Sequence, residues 1–365
     1  MNGKLNKITI KEGTIIKGKE LKGYTLCKIL SEDLCMRGFQ YKMGMNVDVN
    51  PLAVRGSCKA GLYFCLIKDI CDYLDYGTNL AIVKVPDDEK VYVDKDKFRT
   101  HRLEIQKIMP LGEVTAWEYM HKRGLKIMHN CDYAVIKAAV TGSLEVIRYL
   151  HENGADITAD NNSAFLQASC NDHLEVVKYL HGNGADITDC SNEAVCQASA
   201  NGYLEVVKYL HKNGADIKTY SNEAVRLASA NGHLEVVKYL HKNGADIKTY
   251  SNEAVRLASA NGHLEVVKYL HGNGADITEC NNEAVCQASA NGYLDVVEYL
   301  HKNGADITAD NNYAVKWALE NGHLEVVKYL HENGADVTGN DNYAVMHAAE
   351  NGYSDVVRYL KAKMQ

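Results

Sequence analysis

A 30-residue period runs from Cys131 to the end of the chain, and two overlapping stretches one period apart, Leu204–His241 and Leu234–His271, are letter-for-letter the same. Copies begin at Cys131, Asn161, Ser191, Ser221, Ser251, Asn281, Asn311 and Asp341, so residues 131–365 hold eight of them, the last cut short. Self-similarity at a period of about 20–50 residues marks a solenoid, in which each unit buries its apolar face against its neighbours. Modules this interchangeable are a poor place for a single active site. The repeats argue first for a binding scaffold.

The unit reads [NS]-N-E-A-V-x-x-A-S-A-N-G-[HY]-L-E-V-V-K-Y-L-H-x-N-G-A-D-I-T. In the copy that starts at Ser221, Asn222 is placed to cap a first helix on which Ala224, Val225, Ala228 and Ser229 form a narrow face of small residues. Gly232 then supplies the positive φ of a tight turn. Leu234, Val236, Val237 and Leu240 make the apolar stripe of a second helix that ends at Asn243-Gly244. Each unit is expected to be two antiparallel helices. Glu235 and Lys238 fall on the solvated face, where such a pair contributes only about 0.2–0.5 kcal/mol.

G-H-L-E-V-V-K-Y-L followed by N-G-A-D-I resembles the second helix and closing turn of the ankyrin repeat, over residues 131–365. The resemblance implies a mainly α chain, an ankyrin-repeat helical solenoid preceded by a small α+β domain. Ankyrin repeats usually run about 33 residues and open the first helix with T-P-L-H, whereas this unit has 30 and reads N-E-A-V or N-Y-A-V. The missing residues belong to the loop that projects as a β-turn finger. Fingers should be short or absent, and a binding surface would lean on the exposed side of the first helices. The spelling is most similar to 30-residue ankyrin proteins of giant DNA viruses that infect amoebae, of the Mimivirus kind. That implies a viral protein with a host protein as its target, at work inside the cell, in the host cytoplasm.

With 46% hydrophobic and 24% charged residues and 3 prolines, the chain has the composition of a well-packed globular protein. The eleven cysteines form no regular framework and no secretory segment follows Met1, which points to a reducing compartment. No apolar run approaches the roughly 18–20 residues of a membrane helix, so no membrane partner is expected. Residues 131–365 carry 18 Lys and Arg against 31 Asp and Glu, and an acidic array repels the phosphates that nucleic-acid binding must neutralise. Residues 1–110 carry 19 against 14, without a basic run. No nucleic-acid partner is expected there either.

Residues 1–108 read as the small α+β domain, with strands at Lys7–Ile16, Gly38–Val49, Leu80–Val85 and Arg99–Met109 and a short helix at Leu66–Tyr76. Residues 109–130 read as a degenerate capping half-repeat: Val114–Gly124 aligns thirty residues upstream of Leu144–Gly154, with Trp117 in place of a core valine. Without a Gly/Ser/Pro-rich linker, domain and array should be docked. Gly61-Leu62-Tyr63-Phe64 with Tyr73 or Tyr76 downstream resembles the G-[IL]-Y-F strand and stacking tyrosine of poly(ADP-ribose) polymerase-type ADP-ribosyltransferases. The family's H-G-[ST] is missing, Arg55-Gly56-Ser57 being its nearest echo. A buried strand with aromatic packing is the plainer reading; the alternative is an enzymatic front domain aimed by the repeats. No catalytic residue and no cofactor is assigned.

Histidine recurs at one position of the unit, from His151 to His331. Equivalent residues on stacked helices lie about 8–10 Å apart, too far for two ligands that must each reach zinc at about 2.0–2.1 Å. No metal is expected. A histidine in the last turn can instead bond free carbonyls and complement the helix dipole. Variation between copies is more telling, because it marks positions outside the shared core. One face of the first helix becomes aromatic or polar at Tyr133 and Lys137 in the first copy, Tyr313 and Trp317 in the seventh, and Tyr343 and His347 in the eighth. These six residues are the candidate partner-binding set. End repeats also differ when they cap an array, and both readings stand at this point.

Overall fold

The computed structural model describes residues 11–49, 61–94, 97–128, 131–337 and 342–363. The chain divides into two compact units, Met1–Ala185 and Asp186–Gln365.

Strands of the first unit are β1 (Ile15–Lys17), β2 (Leu26–Leu30), β3 (Cys35–Met36), β4 (Phe39–Gln40), β5 (Gly44–Val47), β6 (Leu62–Leu66), β7 (Asn79–Lys84), β8 (Lys90–Val93), β9 (Lys97–Thr100) and β10 (Arg102–Pro110). Eight form one antiparallel sheet in the order β1-β8-β9-β6-β2-β7-β10-β5, and β3 pairs with β4 as a separate ribbon. Leu30, Leu62, Phe64, Val83, Leu103 and Ile105 belong to its main core. Phe64 stacks on Phe98 there, with 5.3 Å between ring centroids. A 3-10 helix, Ile67–Tyr76, packs on β2 through its own buried Ile67, Ile70, Cys71 and Leu74.

Several strands escape the sequence reading for a physical reason. All five residues of β2 are buried, so the alternation that marks a half-exposed strand is lost. The single strand expected at Gly38–Val49 is two short pieces, parted before Gly44, whose φ is +83°. Of the strand expected at Lys7–Ile16, residues 7–10 lie outside the described residues, and pairing begins at Ile15.

Helix α1 (Val114–Lys122) follows β10 and buries Trp117, whose Nε1 donates to the Leu111 carbonyl at 2.8 Å. Next come α2 (Asp132–Val140) and α3 (Leu144–Glu152), and then helices Ala159–Cys170 and Leu174–Gly182. The 3-10 helix docks on α2. Asp75 accepts the Tyr133 hydroxyl at 2.6 Å and the Lys137 ammonium at 2.6 Å, and the Cys71 thiol meets that of Cys131, which with burial pushes the Cys71 thiol up.

In the second unit each copy is a pair of antiparallel helices, as in Thr219–Ala230 with Leu234–Lys242. Ala224, Val225, Ala228 and Ser229 of the first helix and Val236, Val237 and Leu240 of the second are buried. Ser229 satisfies its buried hydroxyl on the Val225 carbonyl, 2.7 Å away. The second helix closes with a Schellman turn: Gly244 (φ +91°) donates to His241 at 2.9 Å and Ala245 to Leu240 at 3.0 Å. In the next copies Asp276 and Asp306 accept both the backbone N–H and the hydroxyl of Thr278 and Thr308. The recurring N-G-A-D-I-T is thus a helix stop and a side-chain-closed turn. No strand interrupts the array among its described residues.

Asn222 does not cap its helix. Tyr220, Ser221 and Asn222 all have left-handed backbones, φ 45°, 53° and 66°, and the Asn222 side-chain oxygen accepts from the Asp246 N–H at 2.8 Å. That bond ties the start of the first helix to the copy's closing turn. Gly232 takes the expected positive φ, 79°, and has a second duty: a Cβ there would stand 2.5 Å from the His263 ring of the next copy.

The recurring histidine also has a partner the sequence reading did not find. Its Nδ1 meets the hydroxyl of a tyrosine one copy on, at 2.9 Å for His211–Tyr239, 3.0 Å for His241–Tyr269 and 2.9 Å for His271–Tyr299. The free carbonyls at the helix end are taken instead by the asparagine side chain two residues on, as Asn243 does at Tyr239, 2.7 Å away.

Candidate functional site

The side of the first helices that faces away from the shared core is the surface on which copies differ. In the middle copies it carries an ion pair between neighbours: Arg226 reaches Glu253 of the next copy at 2.5 Å, and Arg256 reaches Glu283 in the same way. Arg226 also lies over the Tyr250 ring, 5.0 Å from its centroid.

In helix Ala309–Glu320, Tyr313 stands where the middle copies have the glutamate and Trp317 where they have leucine or glutamine, while Lys316 keeps the positive charge. Tyr313 and Trp317, one helical turn apart, have ring centroids 4.6 Å apart; Tyr313 is 38% exposed and Trp317 half-buried. Helix Asn342–Glu350 packs beside it. His347 there is half-buried, 3.3 Å from the Asn351 side-chain nitrogen. Tyr343 lies outside the residues whose side chains are described. The structure therefore gathers Tyr313, Trp317 and His347 on two neighbouring helices.

Tyr133 and Lys137 are placed differently. Both are bonded to Asp75 inside their own unit, and Lys137 lies over the Tyr133 ring at 5.2 Å. The Lys137 bond first, and the Tyr133 bond second, hold the Asp75 carboxyl below its ordinary range, and Asp75 in turn raises Lys137. Variation in the first copy thus has an internal use. Asp75 is one of three aspartates, with Asp69 and Asp72, in the expected short helix, and nothing in the local sequence set it apart.

The β2–β6 pairing stops at Leu26–Leu66 and Cys27–Cys65 although both strands run on. Where they part, a cavity of about 170 Å³ opens, lined among others by Lys28, Gly61, Tyr63, Phe64, Tyr73 and Tyr76. Of the residues singled out by the ADP-ribosyltransferase resemblance, all but the core residue Leu62 share one cavity, while Arg55, Gly56 and Ser57 lie outside the described residues. Sequence reasoning passed over Lys28, a lone lysine in an apolar strand. Among the described residues, no group of three or more His, Cys, Asp or Glu converges as metal ligands, and no helix is long and apolar enough to cross a membrane.

Comparison with known proteins follows the same division. The model of a domain of unknown function (DUF7666) matches residues 24–117. The model "Ankyrin repeats (3 copies)" matches residues 115–190, 167–251, 195–281 and 285–365. The uncharacterized protein R869 of Acanthamoeba polyphaga mimivirus is 34% identical over 131 residues, 33% of this chain and 92% of its own length. Two ankyrin repeat proteins of the same virus, R838 and R868, are each 30% identical over about a third of this chain, which covers 51% and 63% of their respective lengths. With the repeat model matching most of its length, the chain belongs to the ankyrin repeat family.

Proposed function

We propose that the chain is a non-enzymatic protein–protein interaction scaffold that binds a host protein in the cytoplasm of an infected amoeba, through the exposed first-helix face around Tyr313, Trp317, Tyr343 and His347. The observation that carries the reading is the Tyr313–Trp317 pair, with rings 4.6 Å apart on the variable face. Inter-copy bonds occupy that face in the middle copies. Large amphipathic side chains at such a place are what interface hot spots are made of. Tyr133 and Lys137 enter the proposal with their polar ends already committed to Asp75. The mimivirus relatives support the viral setting.

Full-length chain immobilised in an amoebal lysate should retain a protein that Trp317→Ala releases, since hot-spot truncations cost about 2 kcal/mol or more. Glu235→Ala, on a solvated pair, is the control that should change nothing. Retention of the same protein by Trp317→Ala moves the contact elsewhere. Loss of cooperative melting in that variant assigns Trp317 to the array's cap.

A second reading keeps one observation in its favour: Gly61, Tyr63, Phe64, Tyr73 and Tyr76 line a common cavity. In it the strand-rich domain transfers ADP-ribose and the repeats aim it. Incubation of the full chain with NAD and candidate targets, followed by mass spectrometry, tests it directly. The absence of any modified peptide removes this reading and leaves the scaffold.

A further inference from the structure

The cavity between β2 and β6 plays no part in the scaffold reading, and its lining is chemically unusual. Lys28 projects from the middle of an entirely buried strand and is itself only 7% exposed. A buried ammonium without a counter-charge is strongly destabilising. Yet among the described residues no hydrogen bond or ion pair reaches it; it lies over the ring of Tyr41, with Nζ 4.8 Å from the centroid. Burial pulls the Lys28 amine down to about 8, with Arg37 acting in the same direction and Cys65 opposing.

Two more cations line the cavity. Arg37 and Lys97 both lie over the Tyr63 ring, 5.8 and 5.4 Å from its centroid. Among the described residues of the lining the one carboxylate, Asp48, accepts the Gly61 N–H at 2.8 Å. The described lining is therefore net positive and walled by aromatic faces. A neutral occupant would leave Lys28 uncompensated, and a cation would be repelled by three like charges. The volume of about 170 Å³ suits an occupant the size of a single ring. A bare inorganic anion would answer the charge and make no use of the aromatic faces in the wall.

We propose that this cavity binds a small planar anion, an aromatic ring carrying a carboxylate or phosphate, with Lys28 as its buried counter-charge and the rings of Tyr41 and Tyr63 against its apolar part. The site stands or falls independently of the scaffold reading. Lys28 offers a charge-assisted donor that suits either oxyanion.

Isothermal titration of the full chain with phenyl phosphate and with benzoate tests it. Benzyl alcohol supplies the ring without the charge, and acetate the charge without the ring. At least one aromatic anion should bind with a Kd below about 1 mM, and both controls at least tenfold more weakly. Lys28→Met should lose at least tenfold in that affinity and melt no lower than the wild type. A second readout needs no variant: acetylation of Lys28 in the native chain, followed by peptide mass spectrometry, should slow under the aromatic anion that binds and not under benzyl alcohol. The proposal is overturned if both aromatic anions fail to bind, if Lys28→Met binds undiminished, or if acetylation of Lys28 is indifferent to the bound anion.

Discussion

The Nδ1 of His241 lies 3.0 Å from the hydroxyl of Tyr269, 28 residues on, and the two rings meet edge to face with 5.8 Å between centroids. Ring packing and hydrogen bond together fasten one copy to the next. Tyr269→Phe keeps the ring and deletes the bond, so it should lower unfolding free energy by about 0.5–1.5 kcal/mol, read from the denaturant midpoint. The same change at Tyr329, partner of His301, should add to it, since the two rungs share no contact. An unmoved midpoint would mean that the ring contact alone does the fastening.

Legibility followed the range of the interactions. Two helices per copy, the turn glycines and the small-residue face depend on neighbours within a few residues, and the periodicity of one unit contains them. The histidine–tyrosine bond spans 28 residues, so reading one helix alone assigned the histidine to its own carbonyls. The signal was present in the constant offset of His and Tyr between copies. Asn222 misled for the opposite reason: it sits where a cap would, but its left-handed backbone sends the side chain to Asp246. In the strand-rich domain β2 hides as a continuous apolar run. Lys28 inside it has no local pattern, because its setting comes from strands distant in sequence.

Asp172 stands where other copies have the turn glycine, and it adopts φ 61° against 81° for Gly202 and 79° for Gly232. Aspartate tolerates this left-handed region better than most residues and less well than glycine. Asp172→Gly should therefore stabilise the chain by an amount on the order of 1 kcal/mol, seen as a higher midpoint in chemical denaturation. A fall would reveal a bond from the Asp172 carboxylate that outweighs the backbone gain.

The amine of Lys28 is held at about 8 against an ordinary 10.5. The folded chain then gives up this proton before the unfolded chain does, so its burial cost is full below about pH 8 and is recovered as pH rises toward 10.5. Lys28→Met should be the more stable protein at pH 7, by up to about 3 kcal/mol, and its advantage should shrink between pH 8 and 10. Arg37, Lys97, Asp48, Tyr41 and Cys65 line the same cavity and are present in both proteins, so the difference between the two stability curves reports Lys28 together with its coupling to them. A variant that is less stable at pH 7, or a pH-independent difference, would contradict the burial assigned to this amine.

Deleting Leu234–His263 removes 30 residues and joins His233 to Leu264, which restores the sequence of the original junction. The deletion removes the Tyr250 ring that Arg226 lies over and brings Cys280 to its place, but the hydrogen bonds and ion pairs described above each find an equivalent. His211 loses Tyr239 and gains Tyr269, Arg226 exchanges Glu253 for Glu283, and Asn222 exchanges Asp246 for Asp276. In a solenoid, stability is approximately a sum of repeat and neighbour-interface terms. The shortened chain should therefore stay folded and unfold cooperatively, with a smaller denaturant m-value in proportion to the surface removed. Helical circular dichroism per residue should hardly change. A collapse of helical signal would show that the copies depend on contacts beyond their immediate neighbours.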